Sequence, residues 1–108
     1  MTAVTEEVLM EIVKSIVETV HPLKVILFGS YARGQANPDL DFLVVEQEPF
    51  NVRSRMKRLG NIYRGLPPYL IPIDVVLYSK DEFDKWKDGI NHVIARAYRE
   101  GKVVYERD

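Results

Sequence analysis

Apolar residues near the N-terminus recur at helical spacing. Val8, Leu9, Ile12, Val13, Ile16, Val17 and Val20 form one stripe, which predicts an amphipathic helix over 5–20. Thr5 suits its N-cap, Glu6 and Glu7 suit the positive end of its dipole, and His21-Pro22 ends it. The pattern then changes. Residues 24–28 are β-branched and apolar, as in a strand covered on both faces. Gly29-Ser30 turns the chain, Tyr31-Ala32-Arg33 suits a short helical turn, and 34–38 reads as loop. Residues 39–46 form a second apolar strand.

A second helix is predicted over 50–64, with Val52, Met56, Leu59 and Tyr63 on its stripe and most basic residues off it. Gly60 weakens it by about 1 kcal/mol relative to alanine. Gly65-Leu66-Pro67-Pro68 is a break, and 71–78 reads as a third strand. Ser79-Lys80-Asp81-Glu82 has capping-box spacing, so a helix runs towards Lys87. Ile90, Val93, Ile94, Ala97 and Tyr98 make the stripe of a last helix, with Gly101 placed as its C′ residue. Val103-Val104-Tyr105 suits a short edge strand. The order α-β-turn-β-α-β-α-α-(β) is that of an α/β (α+β) protein, a small mixed sheet with helices packed on it.

Composition narrows the chemistry. The 108 residues are 46% hydrophobic and 29% charged, as expected of a single globular domain over 1–108. Cysteine is absent, which excludes disulfides, a thiol nucleophile and cysteine-bound zinc. Only His21 and His92 are present, so any metal must be held by carboxylates, as Mg2+ or Mn2+ would be. No apolar run approaches the ~20 residues of a membrane span, and no basic-then-apolar leader opens the chain. A cytoplasmic location without membrane association is expected. The net charge of -1 argues against a generic nucleic-acid coat. The charge is segregated, however: Arg53, Arg55, Lys57, Arg58 and Arg64 lie in a stretch from Pro49 to Ile73 without any acid.

The candidate chemistry lies between Phe28 and Val45. A buried strand empties into Gly29-Ser30, where glycine lets a ligand approach the backbone and turn N–H groups can hold phosphate oxygens. Alone, such a pair is more often only a turn. Asp39 and Asp41 are two apart, so on a strand their carboxylates point the same way. Two adjacent anions repel unless a cation lies between them. The competing reading makes Asp39 a loop cap and leaves Asp41 solvated. Asp74 sits among Ile71, Ile73, Val75, Val76 and Leu77, where a lone buried carboxylate would be costly. If its strand lies beside the second, Asp74 completes a three-carboxylate cluster; otherwise it bonds a local N–H or lysine. A cluster beside a phosphate-gripping turn suits metal-assisted phosphoryl or nucleotidyl transfer, with Asp74 as base and Asp39 and Asp41 as metal ligands.

Gly29-Ser30, Ala32-Arg33-Gly34, Asp39-x-Asp41 and Ile73-Asp74-Val75 together resemble the DNA polymerase beta-type nucleotidyltransferase superfamily, within it the minimal nucleotidyltransferases and their MntA-type antitoxin branch. The resemblance extends to the final Arg99–Tyr105 segment. It implies the small α/β nucleotidyltransferase fold, ATP or another nucleoside triphosphate as substrate, and Mg2+. It carries Gly29 and Ser30 over as triphosphate contacts, Asp39 and Asp41 as metal ligands, and Asp74 as third carboxylate. It also implies a small helical HEPN partner, in several pairs a ribonuclease toxin adenylylated on tyrosine, which would make this chain an antitoxin. One departure stands out. The eight residues between Ser30 and Asp39 make a shorter loop than this branch usually has, and Pro38 replaces a usual serine. The shorter loop either draws the turn towards the metals or marks weakened catalysis. In the latter case the chain is a non-catalytic nucleotide- or partner-binding module.

Other signals are weaker. Arg33 is positioned to reach a phosphate or to be a loop cation. The basic stretch suits triphosphate, RNA, an acidic partner or solvent, nucleic acid being the less favoured partner. Lys24 and Lys80 read as surface residues, His21 as a helix end and His92 as part of the last helix. The tyrosines read as core or interface. Trp86 is expected in the core or, failing that, in a homo-oligomer contact.

Overall fold

The structure is a computed structural model that describes residues 4–34 and 39–107; the loop reading of 35–38, Pro38 included, lies outside them. Helix α1 (Glu6–Val20) starts at Thr5, whose side-chain oxygen accepts from the Val8 N–H at 3.1 Å. It stops at His21, which takes a left-handed conformation at φ 49°. Then follow β1 (Lys24–Phe28), β2 (Leu40–Glu46), α2 (Val52–Gly65), β3 (Ile73–Ser79), α3 (Lys80–Trp86), α4 (Val93–Glu100) and β4 (Lys102–Glu106).

The strands form one mixed sheet in the order β3-β2-β1-β4. β1 is antiparallel to β2 and to β4, while β2 and β3 are parallel, joined by the crossover helix α2. Successive strand residues face opposite sides, so each strand feeds two cores. Val25, Leu27, Phe42, Val44, Val75 and Leu77 pack against α1 and Ile62 of α2. Ile26, Phe28, Leu43 and Val45 pack against Phe83 of α3 and Ile94 and Ala97 of α4. This sandwiching explains why β1 and β2 read as nearly continuous apolar runs.

The helices depart from expectation in instructive ways. On α2 the inner line is Leu59 and Ile62, continued by Leu66, whereas Val52 and Met56 are 80% and 64% exposed and Tyr63 is 43% exposed. The cause is Arg55, which occupies the inner line one turn before Leu59. Its guanidinium donates to the Leu77 carbonyl at 2.7 Å and to Glu82 Oε2 at 2.8 Å, bridging α2 to β3 and α3. Arg58 pairs with Glu46 at 3.4 Å. Two cations of the basic stretch thus serve the fold, which weakens its reading as a nucleic-acid surface. Tyr63, although exposed, accepts from the Val75 N–H at 2.7 Å on the edge strand β3.

The capping box at Ser79 and Glu82 is present in both directions. α4 starts after Ile90, which is 84% exposed, because His92 is the cap: its Nδ1 accepts from the Ile94 N–H at 3.1 Å. Trp86 is not in the core. It is 41% exposed and stacks on the His92 ring, centroids 4.9 Å apart. Gly101 ends α4 in extended geometry, at φ -85°, rather than left-handed. Glycine is needed there for space: a Cβ would overlap the Ala97 carbonyl oxygen and the Ile26 side chain.

Glu46 ends β2 buried, at 4% exposure, and its Oε2 has no hydrogen-bond partner among the described residues. Burial pushes its carboxyl above the usual range, and Arg58 and Arg107 pull it partly back. The folded chain therefore binds this proton more tightly than the unfolded chain, and stability is lost as pH rises through the raised value. Glu46→Gln is expected to raise the thermal midpoint at about pH 7 and to give little gain at about pH 4, where the carboxyl is already largely protonated. Melting curves at the two pH values check this; equal shifts would contradict it.

Candidate active site

The parallel register of β2 and β3 sets Asp41 directly opposite Asp74. On its other side Asp41 is opposite Phe28, the last residue of β1. Alternation along the strands places Asp41 with Leu43 and Val45, and Asp74 with Val76 and Tyr78, on the face that carries α3 and α4. Adjacent strands lie about 4.8 Å apart, so the two carboxylates project side by side from neighbouring backbones. Asp41 is half-buried and Asp74 exposed. The expectation that Asp74 is buried among apolar neighbours is therefore corrected: β3 is an edge strand, and its apolar residues Ile73, Val75 and Leu77 turn to the opposite face.

The acids sense one another. Asp41 sits above the ordinary carboxylate range, first through burial, then through the negative charges of Asp74 and Asp39; Arg96 and Arg33 oppose the rise. Asp39 lies just before β2 and is exposed. Among the described residues, no three acidic or histidine side chains are drawn together closely enough to form a ready metal cage. The donor chemistry nonetheless suits a hard divalent cation: carboxylate oxygens only, with repulsion that such an ion would relieve.

Gly29 brings the turn onto this pair. It has φ 79°, and a Cβ there would overlap Asp41 Oδ2, so the carboxylate rests against the bare Cα. Only glycine accommodates both the left-handed backbone and the contact. The chain then makes a single helical turn, with the Arg33 N–H donating to the Gly29 carbonyl at 3.1 Å and the Gly34 N–H to that of Tyr31 at 3.0 Å. Among the described residues, none accepts from the N–H groups of Ser30, Tyr31 or Ala32. The Ser30 hydroxyl, expected to face a phosphate, is instead engaged. It accepts from the Asp39 N–H at 2.9 Å and donates to the Asp39 carbonyl at 3.3 Å, clamping the two ends of the loop.

Arg96 was not marked by any spacing in the sequence. On α4 its guanidinium lies 5.6 Å from the Phe28 ring centroid, and its charge reaches Asp41. Arg33, the cation that sequence did mark, is exposed on the turn and also acts on Asp41. The chain thus presents an acidic pair beneath a glycine turn, with the charges of two guanidinium groups acting on it.

The chain belongs to the nucleotidyltransferase domain family, whose model matches residues 8–104. No curated protein matches it. Solved structures share its fold. A Sulfolobus solfataricus protein crystallised as a candidate nucleotidyltransferase is 24% identical, with a TM-score of 0.62, over 94% of this chain and 79% of that one. A toxin–antitoxin structure with AMP-PNP is 20% identical, with a TM-score of 0.55, over 91% and 73%. A tri-AMPylated Shewanella oneidensis HEPN toxin in complex with an MNT antitoxin supplies a chain 18% identical, with a TM-score of 0.55, over 94% and 72%.

The contact between Gly29 and Asp41 is testable by a double-mutant cycle. Gly29→Ala is expected to destabilise by about 1–3 kcal/mol through positive φ and overlap. Combined with Asp41→Ala it should cost less than the sum of the single changes, because the overlap is gone and only backbone strain remains. Additive urea-denaturation energies would contradict the contact.

Proposed function

We propose that the protein is a Mg2+-dependent nucleotidyltransferase that moves AMP from ATP to a hydroxyl, on a tyrosine of a HEPN-type helical partner that it thereby neutralises. The observation that carries the reading is the in-register pair Asp41–Asp74 lying directly beneath the Gly29 turn. Support also comes from two structures with this fold, a toxin–antitoxin with AMP-PNP and an MNT antitoxin in complex with a tri-AMPylated HEPN toxin.

Asp41 and Asp74 would hold the ion, with Asp39 close enough for its charge to act on Asp41. When bound, the ion supplies positive charge to the phosphate oxygens and lowers the pKa of the attacking hydroxyl. The N–H groups of Ser30, Tyr31 and Ala32 receive triphosphate oxygens. Arg33 adds a guanidinium at the edge of the turn. Asp74, exposed on the edge strand, would accept the proton of the acceptor hydroxyl as that oxygen bonds to the α-phosphorus and pyrophosphate departs. The acceptor arrives on another chain, since the exposed side of Asp74 faces solvent.

A second reading has its own observation. The Ser30 hydroxyl is tied to the Asp39 backbone, and the loop it closes is short. A chain that retained the fold and neutralised a partner by occlusion would tolerate both. Calorimetry with ATP and Mg2+ tests the occlusion reading: no detectable binding supports it, and binding leaves label transfer to decide between enzyme and nucleotide-binding module.

For the enzyme, transfer of label from α-labelled ATP to the partner is expected with Mg2+. Asp41→Asn should lower that rate about 100-fold or more. Equal labelling by the wild type and the variant would contradict the role of the acidic pair.

A further inference from the structure

Arg96 stands at the acidic corner without a partner of its own. Its guanidinium lies over the ring of Phe28, the residue that leads into Gly29-Ser30 and faces Asp41 across the ladder. Stacking on an aromatic face holds a guanidinium plane while leaving its edge donors open. Arg96 is exposed and makes no ion pair or side-chain hydrogen bond with any described residue. It is thus near enough to the carboxylates to act on Asp41, yet not locked to them.

The same side chain lines an open cleft of about 370 Å3, formed by α4 and the segment before it, where Arg96 and Arg99 outnumber the single acid, Glu100. The walls of this cleft are braced. His92 is fixed by its bond to the Ile94 N–H and by stacking on Trp86. Arg99 donates to the Gly89 carbonyl at 2.9 Å and so holds the preceding loop. Neither bracing contact uses Arg96. A guanidinium that lines a braced cleft and lies over Phe28, the residue leading into the glycine turn and opposite Asp41, fits a polyphosphate better than a neutral acceptor. It offers paired N–H donors that match two phosphate oxygens at once.

We infer that Arg96 is a nucleotide-binding residue that contacts the triphosphate tail, which runs from the Gly29 turn towards the α4 cleft. This rests on the nucleotide reading proposed above, and it adds a second cationic contact to that of Arg33. Because the side chain keeps its place over Phe28, the contact is preorganised and does not depend on the divalent ion.

The test is calorimetry of the full chain with ATP, inorganic tripolyphosphate and adenosine, with EDTA and again with Mg2+. Arg96→Gln is expected to weaken ATP and tripolyphosphate about tenfold or more and to leave adenosine unchanged. Arg96→Lys should recover part of the loss, since it keeps the charge without the planar fork. Lys14→Gln on α1 removes the same charge from the opposite face and should leave all three ligands unchanged. If the wild type binds ATP and Arg96→Gln binds it equally well, this inference falls and the nucleotide reading stands. If adenosine weakens in parallel with ATP, the side chain shapes the cleft instead of meeting phosphate, and the inference again falls. If the wild type binds neither ATP nor tripolyphosphate, both fall together.

Discussion

Two carboxylates are held opposite each other by the hydrogen-bond register of a parallel strand pair, and that constraint organises the rest of the molecule. The backbones of Asp41 and Asp74 cannot separate without breaking the β2–β3 ladder, which runs from Leu40↔Ile73 to Glu46↔Ser79. The ladder is anchored by apolar side chains on both faces, so the folding energy of two cores opposes the repulsion of two charges. Like-charge repulsion held in place by packing costs stability unless a cation relieves it. Here its location is informative, because the pair sits where a glycine turn and two arginines also converge.

Topology supplies what no local segment could. Gly29 and Asp41 meet because β1 and β2 are antiparallel neighbours. Asp74 joins them because α2 carries the chain over one face and returns it parallel to β2. Arg96 arrives on the opposite layer, positioned by Ile94 and Ala97 against Ile26 and Phe28. The Ser30–Asp39 clamp then ties the residue after Gly29 to the start of β2. Each contributor is rigid for a separate reason, and the site is the place where those reasons coincide.

Much of this was legible in the residues themselves. The period of α1, the apolar runs of β1 and β2, and the capping box before α3 each reflect a local rule that the tertiary structure obeys. The paired aspartates and the glycine turn were legible because their chemistry is unusual in an otherwise apolar setting. What could not be read was decided by partners distant in sequence. Arg55 looked like a surface cation but took an inner position by reaching the Leu77 carbonyl and Glu82, which rolled Val52 and Met56 outward. Trp86 looked like a core residue and found the His92 ring instead. Asp74 looked buried by its neighbours, yet a strand's two faces alternate, and its own face is open at the sheet edge. Arg96 carries no signature at all, since only the packing of α4 on the sheet brings it to Phe28.

The central claim is that Asp41 and Asp74 form one cation-binding corner beneath Gly29. Paramagnetic line broadening by substoichiometric Mn2+ in a two-dimensional amide spectrum reads this directly. The account predicts selective loss of the Gly29, Asp41 and Asp74 signals, with those at the far end of the same ladder, Glu46 and Ser79, retained. Broadening centred on another acidic surface, or none confined to that corner, would contradict it.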